Sequence, residues 1–289
     1  MNVGIIPHTE KPAAISLAEE LIEFFLERQI QVCFEEETAQ ILGVPQLARQ
    51  IPLKELDVVI VLGGDGALLN AARLTSQVDV PVLGVNVGHL GFLTELEVDG
   101  VFPAMEKLIS GDYYIEERML IEGRVIRKGK QVAVCSALND LVMTRGTFAR
   151  IINISTYIDD QHVTDYVADG IIVSTPTGST AYSLSAGGPI IEPLLECICI
   201  TPICPHSLSS RSVLARPTAS VSLHLGETRE EVMLTIDGQQ GFPLKSGDRV
   251  EIRRADKTAK FVKLSGRAFF EILHSRLKMP QVWGGAHEG

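Results

Sequence analysis

Apolar and polar positions alternate along this chain with two different periods, and the change between them falls near residue 112. In the first part, short apolar runs (NVGII, IQVCF, DVVIVL, PVLGVN) are separated by stretches with helical spacing. In KPAAISLAEELIEFFLER, for example, Ala14, Leu17, Leu21 and Phe25 recur every three or four residues and share one helical face. Continuous apolar strands interleaved with amphipathic helices predict a parallel sheet covered on both sides. That pattern runs to about Gly111. From Tyr113 the period drops to two. YYIEERMLIEGRVIRKGKQVAVCSALNDLVMTR predicts strands with a turn at Lys128 to Lys130, and INISTYIDDQHVTDYV continues in the same way. Only STAYSLSAGG and AFFEILHSRL keep helical spacing.

The expected fold is therefore an α/β N-terminal domain with a parallel sheet plus a mostly antiparallel β-rich C-terminal domain. The boundaries fall at residues 1–112, residues 113–267, and residues 268–289, the last being a C-terminal helix and tail. That helix can fold back on either domain, and the final QVWGGAHEG is expected to fray.

Composition narrows the function classes. Over 289 residues, 45% hydrophobic and 21% charged positions are those of a globular protein with a sizeable core. The net charge of -10 argues against a nucleic-acid surface, which needs clustered Lys and Arg. The N-terminus has neither a basic n-region nor a long apolar stretch, so the protein is expected in the cytoplasm, without a membrane partner. Five cysteines read as reduced thiols. In ECICITPICPHS, the residues Cys197, Cys199, Cys204 and His206 lack paired zinc spacing, and Cys197 and Cys199 alternate with isoleucines as a buried strand would. No metal site is expected among them.

The stretch VVIVLGGDGALLN carries chemistry. Neither the P-loop nor the dinucleotide G-x-G-x-x-G fingerprint is present. What remains is an apolar strand breaking into Gly63, Gly64 and Gly66 before a helix expected from Ala67 to Ala72, at the strand end where ligands bind in open α/β sheets. The glycines admit phosphate to the backbone, yet Asp65 places a carboxylate among them. It can take the proton of a hydroxyl that attacks a phosphate, or help position a divalent cation on the phosphates. It can also merely cap the helix. Elsewhere, Asn139 and Asp140 offer an amide and a carboxylate to an adenine edge or ribose hydroxyls, or simply form a turn. TPTGSTAY presents hydroxyls at a helix start, suited to a ribose or phosphate, or to an N-cap. A lone His89 in NVGHLGF reads as binding or packing rather than as an acid or base.

GGDG, then GVNVGHLGFL, LNDLV and DGIIVSTPTGSTAYSLSAGGP resemble, in order and spacing, the bacterial-type NAD kinases over residues 1 to about 275. GGDG alone also occurs in lipid kinases and phosphofructokinases; the long TPTGSTAYSLSAGGP segment joined to NVGHLGF and Asn-Asp is far more specific. The resemblance implies phosphoryl transfer from ATP, or in some members polyphosphate, to the 2′-hydroxyl of the adenosine ribose of NAD. It further implies Asp65 as proton acceptor with Gly66 beside it, and Asn139 and Asp140 as contacts to NAD. Thr180, Ala181, Tyr182, Ser183, Leu184 and Ser185 would wrap the adenosine, with Asp169, Arg150 and Gln239 nearby. Mg²⁺ or Mn²⁺ would bridge the donor phosphates, and the chain would form a homodimer or homotetramer. Ala67 departs from the threonine many members carry, removing a hydroxyl that helps bind phosphate. A GGDG-type lipid kinase and a non-catalytic dinucleotide sensor are the alternative readings.

Overall fold

The computed structural model describes residues 1–88, 91–146, 150–207, 209–264, 266 and 268–277. His89 and the terminal QVWGGAHEG lie outside the described residues.

The N-terminal half is built on β1 (Asn2–Pro7), β2 (Gln31–Cys33), β3 (Val58–Gly63), β4 (Val82–Asn86) and the short β5 (Leu96–Glu97), all parallel, in the order β2-β1-β3-β4-β5. Its helices are α1 (Pro12–Glu27), α2 (Glu36–Ile41), α3 (Asp65–Ser76) and α4 (Val101–Ser110). Helix α1 has no side-chain cap, only Pro12 in its first turn, but it buries Leu17, Leu21, Ile22 and Phe25. Each such side chain contributes about 1.5–3 kcal/mol on burial, against about 1 kcal/mol for a missing cap, so packing rather than capping forms this helix. Helices α1 and α4 cover one face of the sheet and α3 the other.

The second half folds as β6 (Tyr114–Arg127), β7 (Lys130–Ala137), β8 (Asp140–Arg145), β9 (Ile152–Ile158), β10 (Gln161–Ala168) and β11 (Gly170–Ser174), then a 3₁₀ turn at Thr177–Thr180 and the one-turn α5 (Tyr182–Ser185). It continues as β12 (Ile198–Ile203), β13 (Val213–Ala215), β14 (Val221–Leu225), β15 (Val232–Ile236), β16 (Gln240–Leu244), β17 (Arg249–Lys263) and α6 (Phe269–Leu277). Apart from the β17–β4 junction, the pairings of β6 to β17 are antiparallel. One sheet runs β13-β12-β11-β8-β15-β16 and packs face to face on β6, β9, β14 and β17 through Met119, Met143, Ile154, Ile171, Leu223 and Leu234.

The two halves share a sheet, which their separate periods do not announce. The long strand β17 bonds β14 and β6, then continues past an irregularity between Arg254 and Thr258 to pair parallel with β4 at Phe261 and Val82. Its last residues are shared as well: Ala259 and Phe261 pack under α3, while Val262 joins the core beneath α1 and α4. Helix α6 leans toward the N-terminal half, where the Arg276 guanidinium lies 6.0 Å from the Phe92 ring centre. Among the described residues no helix is long and apolar enough to cross a membrane.

Candidate active site

Strand β3 delivers its last residue, Gly63, fully buried to the carboxyl edge of the parallel sheet. Gly64 then takes an extended N-cap conformation, so the helix opens at Asp65, two residues before the start expected from the sequence. Asp65 consequently does not cap α3. Its side chain crosses instead to the segment after β4, where Oδ2 accepts the Phe92 N–H at 2.6 Å and Oδ1 accepts those of Leu93 and Thr94 at 3.1 and 3.3 Å. A carboxylate offers about four lone-pair sites, so this arrangement fixes its orientation and leaves one on Oδ2 for a further donor. The fit is tight: a Cβ at Gly91 would lie 1.6 Å from Asp65 Oδ1.

The second group of polar residues gathers at the turn between β7 and β8. Thr175, after β11, accepts no freedom from this turn: its N–H and Oγ1–H bond the carbonyls of Asn139 and Leu138 at 2.9 and 2.5 Å. Gly178 then approaches so closely that a Cβ would meet the Asn139 carbonyl oxygen at 2.1 Å. From the other side comes Asp237, whose Oδ1 accepts the N–H groups of Asn139 and Asp140 at 2.7 and 3.1 Å and whose Oδ2 accepts that of Leu138 at 3.1 Å. Sequence reasoning missed Asp237. The available signal was Asp-Gly between the apolar runs of β15 and β16, which marks a tight hairpin; both residues do have positive φ, in a three-residue loop closed by the pairing of Ile236 with Gln240. That signal announces the turn, not the bonds the carboxylate makes across the fold.

A cavity of about 350 Å³ opens here, lined in part by Asn139, Asp140, Ala181, Tyr182, Thr235 and Gly238. Next in sequence to Gly238, Gln239 reaches the glycine loop, its Nε2 donating to the Gly66 carbonyl at 2.7 Å. The structure thus brings Asn139, Asp140, Ala181 and Tyr182 around one cavity and sets Gln239 on the Gly63–Gly66 strand end. The other sequence-predicted positions are placed differently. Thr180 Oγ1 bonds back to the Thr177 carbonyl, and Ser183 is fully buried with its hydroxyl on Thr201. Leu184 is half-buried and Ser185 exposed. Asp169 forms an ion pair with Arg145 at 2.6 Å. Arg150 lies exposed just before β9, and among the described residues no contact ties it to the cavity.

Two carboxylates, Asp140 and Asp237, are buried side by side. Burial, then the charge of Asp237, pushes the Asp140 carboxyl up to about 7. Asp237 is also raised by burial, a shift that its three N–H donors and Arg73 only partly oppose. Between its ordinary value of 3.8 and about 7, native Asp140 keeps a proton that the unfolded chain has lost. Its contribution to stability is therefore complete below the lower value and is lost as pH rises through the upper one. Asp140→Asn removes this titration, so its melting temperature is expected to fall less than that of the wild type between about pH 5 and about pH 8, as thermal melts will show.

Cys197 and Cys199 lie buried at the start of β12, and all five cysteines are free thiols. Among the described residues no three His, Cys, Asp or Glu side chains converge on a point where they could hold a metal ion.

Comparison with known proteins finds matches to both halves of the chain. The ATP-NAD kinase N-terminal domain family matches residues 3–113, and the ATP-NAD kinase C-terminal domain family matches residues 138–264. The NAD kinase of Geotalea daltonii is 42% identical over 284 residues, covering 98% of this chain and 99% of that protein. The NAD kinase of Caldanaerobacter subterraneus subsp. tengcongensis is 42% identical over 279 residues, covering 96% and 98% respectively. Among solved structures, yeast NADH kinase complexed with NADH superposes with a TM-score of 0.87 at 25% identity, over 99% of this chain and 90% of that one.

Proposed function

The chain belongs to the ATP-NAD kinase family, and from that premise we propose how its own residues carry out the ATP-dependent phosphorylation of NAD to NADP. The ribose 2′-oxygen of the adenosine half of NAD attacks the γ-phosphorus of ATP, the bond to the β-phosphate breaks, and ADP leaves. Asp65 takes the hydroxyl proton on the Oδ2 position that its backbone bonds leave open. The observation that carries this reading is the anchoring of the Asp65 carboxylate by three N–H groups at the carboxyl end of the parallel sheet. A base held by its neighbours loses no rotational freedom at the moment of reaction.

Asn139, Asp140, Ala181 and Tyr182 line the proposed acceptor side, and Gly63, Gly64 and Gly66 keep the strand end open to phosphate. A divalent cation, Mg²⁺ or Mn²⁺, would arrive on the donor phosphates and neutralise charge there. Residues 1–112 would carry the base and residues 113–267 the acceptor pocket, with the chain in the cytoplasm as a homodimer or homotetramer. Sedimentation of a fully active monomer would overturn the assembly.

Purified protein given Mg²⁺ and ATP should form NADP from NAD and leave diacylglycerol untouched; phosphorylation of the lipid alone would favour the lipid-kinase alternative. Asn139→Ala should raise the KM for NAD about 10-fold with little change in kcat, because it removes binding made equally in ground and transition states. Steady-state kinetics over a range of NAD concentrations will separate the two parameters.

A further inference from the structure

The proposed site is assembled from parts distant in sequence: the base on the first turn of α3 and the acceptor-binding turn at Asn139 and Asp140. Something must hold these parts in register. Arg73 lies eight residues beyond Asp65 on α3, roughly 12 Å along the helix axis. Its guanidinium meets Asp237 Oδ2 at 3.4 Å, Asn70 Oδ1 at 3.0 Å and Gln239 Oε1 at 3.5 Å. The Arg73 side chain is 12% exposed and that of Asp237 fully buried. Asp237 is thus shared between the two parts, with Oδ1 on the acceptor turn and Oδ2 on both that turn and the guanidinium.

We propose that Arg73 and Asp237 are positioning residues that clamp helix α3 to the Asn139–Asp140 turn and so set the distance between the base and the ribose hydroxyl. Neither touches the reacting atoms. The proposal rests on the reading of Asp65 and Asn139 given above. Its physical basis is the rigidity of a helix: fixing one point of α3 against the turn fixes Asp65, whereas releasing it lets the base drift. A misplacement of about 1 Å can cost about 10²-fold in rate. Arg73 and Asp237 have different partners, which separates their effects. Losing Arg73 leaves the three bonds to the turn intact. Losing the Asp237 carboxylate disturbs turn and helix together, because an amide presents an N–H₂ group to backbone donors.

The test is steady-state kinetics of purified full-length Arg73→Ala, Asp237→Asn and the double variant, with thermal melts on each. Arg73→Ala should lower kcat about 10-fold while KM for NAD stays within about 2-fold. Asp237→Asn should raise KM and lower kcat, and the double variant should be no slower than Asp237→Asn, because both break the same link. Should Arg73→Ala not fold, Arg73→Met, which keeps the apolar stem of the side chain but no donor, is measured against the same expectation. A folded Arg73 variant with wild-type kcat would overturn the clamp, as would a fully additive double variant or a loss of melting temperature with unchanged kinetics. Wild-type protein that forms no NADP would sink the underlying reading instead, so the two failures are distinguishable.

Discussion

Asp65→Asn is expected to lower kcat about 10²- to 10⁴-fold, the range over which a positioned general base contributes. The substitution keeps the shape of the side chain but abolishes its capacity to take a proton. Affinity for NAD should change much less, since the acceptor cavity is lined from other elements. The amide cannot accept from all three N–H groups that the carboxylate now satisfies, so the Phe92–Thr94 segment should also loosen, visible as faster amide exchange there. An NAD analogue lacking the 2′-hydroxyl should bind and accept no phosphate. Wild-type turnover by Asp65→Asn, in a preparation free of host kinase, would reduce Asp65 to a structural anchor and end the proposed mechanism.

Gly91→Ala should come close to the same loss, about 10²-fold in kcat, without replacing any titratable group. Its added methyl would fall 1.6 Å from Asp65 Oδ1 and 2.2 Å from Cγ, so the carboxylate must swing away from the position its backbone donors define. The discriminating result is non-additivity. In an Asp65→Asn background the base is already gone, and the further cost of Gly91→Ala should shrink to a few-fold. Equal losses in both backgrounds would mean that Gly91 matters for folding alone.

How legible these features were depends on the range over which each is encoded. The helical stripe of Leu17, Leu21 and Phe25 and the alternation of β9 are local consequences of burying one face, and they were readable. Asp65 could be singled out because a carboxylate among glycines contradicts a simple phosphate loop. The true start of α3 was not readable, because Gly64 is free to take the N-cap conformation that the neighbouring structure selects. The link between Arg73 and Asp237 was hidden for a different reason. Its members are 164 residues apart, and each has an ordinary local explanation, one as a polar position on a helix and the other as half of an Asp-Gly turn. The pairing of β17 with β4 is likewise invisible to periodicity, which tells that a segment is a strand but not which strand it joins.

That shared strand sets the order in which a growing chain can be completed. The parallel sheet is assembled from segments that leave the ribosome early, yet β4 keeps part of its outer edge unpaired, and the apolar faces of α3 lack Ala259 and Phe261, until residues 249–263 have been made. Folding from the N-terminus onward therefore stalls with an open strand edge, the kind of surface on which other nascent chains can pair. A fragment ending at residue 112 should accordingly aggregate under conditions that keep the full chain dispersed, which light scattering can follow. The last of the described strands to be synthesised is the one that makes the first domain safe from its neighbours.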